Sequence, residues 1–146
     1  MILAYRTQLP IAVIGTKTTA GVRTPVTLTN AYNTTVMSIV KTAGHSKLDL
    51  DLLYTMGATE TSNSIEVKVE CSTDGINFYR IPNESTTGGT STLTAREFTF
   101  VGADAAATTI SIGLDIFYKY VKVSLKETGV VTNFGTVYVE GTLSGF

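Results

Sequence analysis

The chain contains no tryptophan, one cysteine, one histidine and three prolines in 146 residues. A lone Cys71 excludes an intrachain disulfide. It shares an alternating register with Ile65, Val67 and Val69, which predicts a thiol packed in a core as a small hydrophobe. Charge is also scarce: 16% of residues are charged, against roughly 25% in ordinary soluble domains. The net charge is −1 and no basic cluster occurs, so the electrostatic footprint of a nucleic-acid binder is missing. No apolar run approaches the roughly 18 residues that a bilayer-spanning helix needs, and neither membrane nor nucleic acid is expected as a partner. The opening Met-Ile-Leu-Ala-Tyr-Arg is too short an apolar run for a secretory signal. Synthesis and folding in a cytoplasm are therefore expected.

Threonine, serine, asparagine and glycine take the place of the missing charge. Threonine suits strands, because its branched Cβ fits a pleated surface. A surface low in charge is also cheap to desolvate against a neighbour. Period-2 alternation runs from about residue 48 to the end. Leu48, Leu50, Leu52 and Tyr54 share one face, with Asp49 and Asp51 opposite. Similar stripes are Ile65–Cys71, Phe98 with Phe100, Ile110–Leu114, Val121–Leu125 and Val137–Leu143. Each segment has one wet and one apolar face, as antiparallel sheets do. Two such sheets pressed together make a sandwich. Asp74-Gly75 predicts a hairpin turn before a short strand over Phe78–Ile81. Gly88-Gly89 lies in a Ser/Thr-rich stretch, 83–94, read as a loop, and Gly129–Gly135 reads as another. Helix is expected at most as single turns, over Ala103–Thr108 or Leu114–Tyr118. The fold class predicted is all-β, an antiparallel two-sheet sandwich of jelly-roll type with about eight or nine strands.

Residues 1–34 alternate less clearly and carry Pro10, Pro25, Gly15 and Gly21. Two readings stand: ordinary edge strands, or an arm that adds a strand to a neighbouring subunit. Residues 35–146 form the sandwich, and the whole is one domain.

Chemistry is thinly represented. His45, in Ala43-Gly44-His45-Ser46, reads as a solvated loop histidine, because a catalytic triad needs partners that converge in space. Asp49 and Asp51 could serve acid–base chemistry or calcium, but two carboxylates on alternate positions are the ordinary wet face of a strand. No phosphate-cradling glycine loop precedes a helix. No enzymatic activity, metal or cofactor is expected. Tyr79, Tyr118, Tyr120 and Tyr138 include several on the polar side of their strands. A second buried face, a subunit interface and a sugar platform are all open for them, although the lack of tryptophan weakens the last. Tyr5, Leu9, Ile11, Val13, Tyr118, Tyr120 and Tyr138 are the candidate interface residues.

From Ser64 to Ile81 the chain reads Ser-Ile-Glu-Val-Lys-Val-Glu-Cys-Ser-Thr-Asp-Gly-Ile-Asn-Phe-Tyr-Arg-Ile, and from Phe117 to Glu127 Phe-Tyr-Lys-Tyr-Val-Lys-Val-Ser-Leu-Lys-Glu. This pairing resembles two groups. One is the galactose-binding-like jelly roll of discoidin and carbohydrate-binding modules. The other is the small β-sandwich virion proteins of tailed bacteriophages, including capsid decoration (cement) proteins. The second resemblance is favoured by the threonine content and the missing tryptophan. It implies a homo-oligomer, a trimer by preference, on the capsid exterior, with the major capsid protein or another virion protein as partner. The first implies a glycan- or receptor-binding module of a fibre; a tail or neck component is a further alternative.

Overall fold

The computed structural model describes residues 8–57, 63–80, 82–87, 90–95, 97–101, 107–129 and 133–145, and between 82 and 108 the backbone alone. Its strands are β1 (Leu9–Ile14), β2 (Thr16–Lys17), β3 (Arg23–Thr24), β4 (Val26–Thr27), β5 (Met37–Lys41), β6 (Lys47–Thr55), β7 (Ser64–Ser72), β8 (Tyr79–Arg80), β9 (Pro82–Thr87), β10 (Thr90–Ala95), β11 (Glu97–Val101), β12 (Ala107–Asp115), β13 (Tyr120–Thr128) and β14 (Thr136–Ser144). Every pairing among them is antiparallel, and no helix occurs among the described residues.

Two sheets make the body. One runs β1-β14-β6-β12, with β4 beside β14; the other runs β11-β7-β13-β5, with β8 beside β7. The principal strands occur in the chain as β1, β5, β6, β7, β11, β12, β13 and β14. Their distribution over two four-stranded layers is the jelly-roll arrangement. The alternating stripes build the core between the layers. Leu48, Leu50, Leu52 and Tyr54 meet Ile65, Val67 and Val69 with Val121, Val123 and Leu125, all buried. Each such aliphatic side chain contributes on the order of 1.5–3 kcal/mol by leaving water. Cys71 is buried as well, and burial pushes its thiol pKa up.

The N-terminal stretch from residue 9 does not leave the molecule. β1 pairs with β14 of its own sheet from Leu9↔Leu143 to Ile14↔Val139, with a bulge between Ala12 and Ile14. Val13, Ile14 and Leu28 are core residues. Gly141 explains the close fit, since a Cβ there would come within 3.0 Å of both Ile11 and Val13.

Three local readings change. The Ser/Thr-rich stretch 83–94 is not a loop: β9 and β10 pair from Pro82↔Ala95 to Thr87↔Thr90. Its branched threonines suit a ladder even where little apolar surface is available. The helical turn expected over Ala103–Thr108 is contradicted at Ala107 and Thr108, which open β12; its earlier residues lie outside those described. Leu114–Tyr118 is not helical either, because Leu114 and Asp115 close β12 in register with Leu48 and Lys47.

β8 and β11 are two halves of one edge strand. Arg80 stands opposite Glu70 and Glu97 opposite Lys68, so together they flank β7 with one position between them. The β9–β10 hairpin is inserted at that position and, among the described residues, pairs with no other strand.

Candidate interaction surface

The outer face of the second sheet is a self-satisfied charge ladder. Lys126 pairs with Glu66 at 3.0 Å and Lys122 with Glu70 at 3.0 Å, while Thr128 donates to Glu66 at 2.8 Å. The hydrogen bond from Lys126 holds the Glu66 carboxyl below the ordinary range. Lys68 and Lys126 lie over the Tyr32 ring, and Lys122 over Phe78, at 4.5–4.7 Å from the ring centres. Covering this face would strip water from paired charges for little gain.

The outer face of the first sheet is partly roofed by the β2–β3 hairpin. Arg23 Nε and Lys17 Nζ both reach Glu140 Oε1, at 2.6 and 3.2 Å, and Arg23 lies over the Tyr138 ring. These two cations hold Glu140 below its usual carboxylate pKa, Arg23 contributing most. A groove of about 340 Å³ runs beside this roof, lined by Thr18, Thr19, Asp51, Glu140 and Thr142 among others. Asp51 accepts from Ser111 Oγ at 2.6 Å, which makes it part of the wet face of its strand.

One end of the sandwich is different. Leu9, Leu143, Leu48 and Leu114 stand in register across the first sheet just inside it. Lys41, Tyr120 and Ser72 mark the same end of the second sheet. Beyond them lie the loops 42–46, 73–78 and 116–119. Phe117 is 87% exposed and Ile76 81%, while Tyr118 and Leu9 are each 44% exposed. Large apolar side chains this open on adjoining loops are what an interface offers. The loop 42–46 turns tightly: His45 N–H donates to Thr42 O at 2.9 Å, and Ala43 and Gly44 both have positive φ, 51° and 83°. A left-handed alanine costs on the order of 1–2 kcal/mol, and the turn holds the wall of a pocket of about 300 Å³ between Gly44, His45, Phe117 and Tyr118.

His45 is not the solvated histidine expected. It is 9% exposed, and its Nδ1 is 2.9 Å from Thr42 O, so the ring packs under its own turn. Of the candidate interface residues, Leu9 and Tyr118 reach the exposed end. Tyr120 is half-buried, with Gly75 close enough that a Cβ there would sit 3.2 Å from its ring. Ile11 is half-buried against the core, and Val13 is in it. Tyr138 is 2% exposed beneath Arg23 and Gly15, so its polar-side position is covered within the monomer. Val13 and Tyr138 are thus both covered within the folded chain. Tyr5 lies outside the described residues. Phe117 and Ile76 were missed, since neither sits on an alternating stripe. Their signal was a bulky apolar residue inside a turn, in Asp74-Gly75-Ile76 and between Ile116 and Tyr118.

At the opposite end a polar cluster is sealed inside. Glu127 is fully buried; its Oε1 accepts from Tyr54 Oη at 2.5 Å and from Asn63 Nδ2 at 2.8 Å, and its Oε2 from Gly135 N–H at 2.7 Å. Asn63 also donates to Tyr54 Oη at 2.7 Å. The cluster ties two strands of opposite sheets to the segment entering β14. Among the described residues no group of three or more His, Cys, Asp and Glu side chains is placed to hold a metal ion. No family model matches the chain, and no curated protein matches it closely enough to be a relative.

Proposed function

We propose that this protein is a structural component of a tailed-bacteriophage virion, a capsid decoration protein that bridges major capsid protein subunits. The observation that carries the reading is the loop end, where Phe117 and Ile76 stand almost fully in water on a rigid jelly roll. Exposed aromatic and aliphatic anchors ringed by polar residues are the usual energetic centre of a protein interface. The local resemblance of Ser64–Ile81 and Phe117–Glu127 to virion sandwich proteins points the same way. Two of the anchors, Ile76 and Phe117, fall inside those segments. In this mechanism no bond is made or broken. The loop end seats on the shell, and many copies acting together hold subunits that each contact would hold weakly.

The test is co-sedimentation with phage heads assembled without the protein, followed by electron microscopy of the decorated shell. Wild-type protein should saturate defined lattice positions in near-stoichiometric amounts. Phe117→Ser and Ile76→Ser should fold normally and lose most of that binding. Unchanged binding by both variants would move the contact elsewhere on the sandwich. No binding by the wild type, together with a melting temperature raised by a sugar, would replace this reading with the glycan-binding one.

A further inference from the structure

Sheet edges are templates for another strand, and proteins blunt them with proline, lysine, bulges or short lengths. Three of the edges here are blunted. The β1 edge carries Pro10 and a bulge between Ala12 and Ile14. The β5 edge is five residues long and ends in Lys41. The β8/β11 edge is broken by the inserted hairpin and carries Arg80 and Glu97. The fourth edge, β12, has no proline, lysine, bulge or break, and its one charge, Asp115, stands at its last position. It runs nine residues, Ala-Thr-Thr-Ile-Ser-Ile-Gly-Leu-Asp, in unbroken register with β6, and pairs with no other strand among the described residues.

We infer that β12 pairs with β12 of a second copy of this chain, antiparallel across a two-fold axis at Ser111. The occupant follows from the register of the strand on itself. Centred on Ser111, all nine residues find partners: Ala107 faces Asp115, Thr109 faces Gly113 and Ile110 faces Ile112. The one charge, Asp115, therefore never meets its copy. The two Asp115 side chains lie at opposite ends of the ladder, roughly 27 Å apart at about 3.4 Å per residue. On the wet side the central pairs are Thr with Gly and Ser with Ser, small and uncharged, with Ala facing Asp only at the two ends. On the core side Ile112 is 5% exposed and Ile110 is half-buried, so the pairing continues the apolar layer and covers Ile110. The product is one continuous sheet across two sandwiches. An isologous two-fold contact of this kind gives even-numbered assemblies, in place of the trimer that the virion resemblance implies. It uses the flank of the sandwich and leaves Phe117 and Ile76 at the loop end free for a partner.

The test needs only the purified chain, so it succeeds or fails independently of capsid binding. Sedimentation and light scattering should give twice the chain mass of 15.6 kDa. Ser111→Glu, beside Asp51 of its own sheet, gathers four carboxylates at the axis and should halve that mass, with the circular dichroism of the fold retained. Ser111→Cys should cross-link two copies on mild oxidation, while the wild type, whose Cys71 is buried, should not. A wild type that stays monomeric at its highest soluble concentration overturns the inference. So does a trimer, or any oligomer that Ser111→Glu leaves intact or that Ser111→Cys fails to link.

Discussion

Glu127 shows how much one buried residue can organise. Its two oxygens gather a phenol, an amide and a backbone N–H from three separate parts of the chain. Glu127→Ala removes all three acceptor contacts at once and strands the donors in a dry site. The expected loss is about 3 kcal/mol of stability, read as a lower urea midpoint, and a loss below 1 kcal/mol would show that water takes the carboxyl's place. Gly135 matters for the same reason, because a Cβ there would sit 2.5 Å from Tyr54 Cε2 and 2.6 Å from Thr55 O. None of this was legible in the sequence. Glu127 occupies the apolar phase of β13, after Val121, Val123 and Leu125, and the pattern alone reads it as the strand running out into water. Two of the donors that keep it buried, Tyr54 and Asn63, come from residues far away in the chain.

At the scale of elements, the alternating strands and the short strand after Asp74-Gly75 were legible, and the first thirty residues and the hairpin over 82–95 were not. The stripes from Leu48 onward mark the faces that pack, because a one-residue slip would turn every side chain to the wrong side. The first thirty residues carry a weaker signal for a physical reason. β1 is an edge strand with a bulge, and β2 and β3 lie on the outside of a sheet, where nothing enforces alternation. What holds β2–β3 down is the charge contact of Lys17 and Arg23 with Glu140, an exposed cluster of modest strength. Glu140→Ala should therefore leave the melting temperature nearly unchanged yet speed tryptic cleavage after Lys17 and Arg23. Equal cleavage rates in variant and wild type would mean that Tyr138 and Gly15 hold the hairpin without help.

For the whole molecule, acidity is the lever with a definite sign. Asp74 accepts from Ile76 N–H and Asn77 N–H at 2.8 Å each, from Asn77 Nδ2 at 2.9 Å and from Ser72 Oγ at 2.8 Å. These bonds, the backbone ones first, hold its carboxyl far below the ordinary value of 3.8. Glu66 and Glu140 are held below their ordinary 4.5 by Lys126 and Arg23. A carboxylate depressed by folding stabilises the fold in full above its unfolded pKa, and the contribution drains away as pH falls through the folded value. Thermal stability should thus be flat near neutrality and decline as pH drops below about 4.5. Asp74→Asn should make that decline shallower. A melting temperature that rises on acidification would contradict the assignment.

The divided strand beside β7 has a practical corollary. Because Arg80 and Glu97 already align with Glu70 and Lys68, the hairpin between them is a detachable cassette as far as the sandwich is concerned. Excising 82–96, so that Ile81 bridges to Glu97 opposite Val69, should yield a shorter chain that melts at nearly the same temperature. Foreign peptides spliced at that junction should then be carried outward on the flank of every copy, with the core beneath indifferent to what they are.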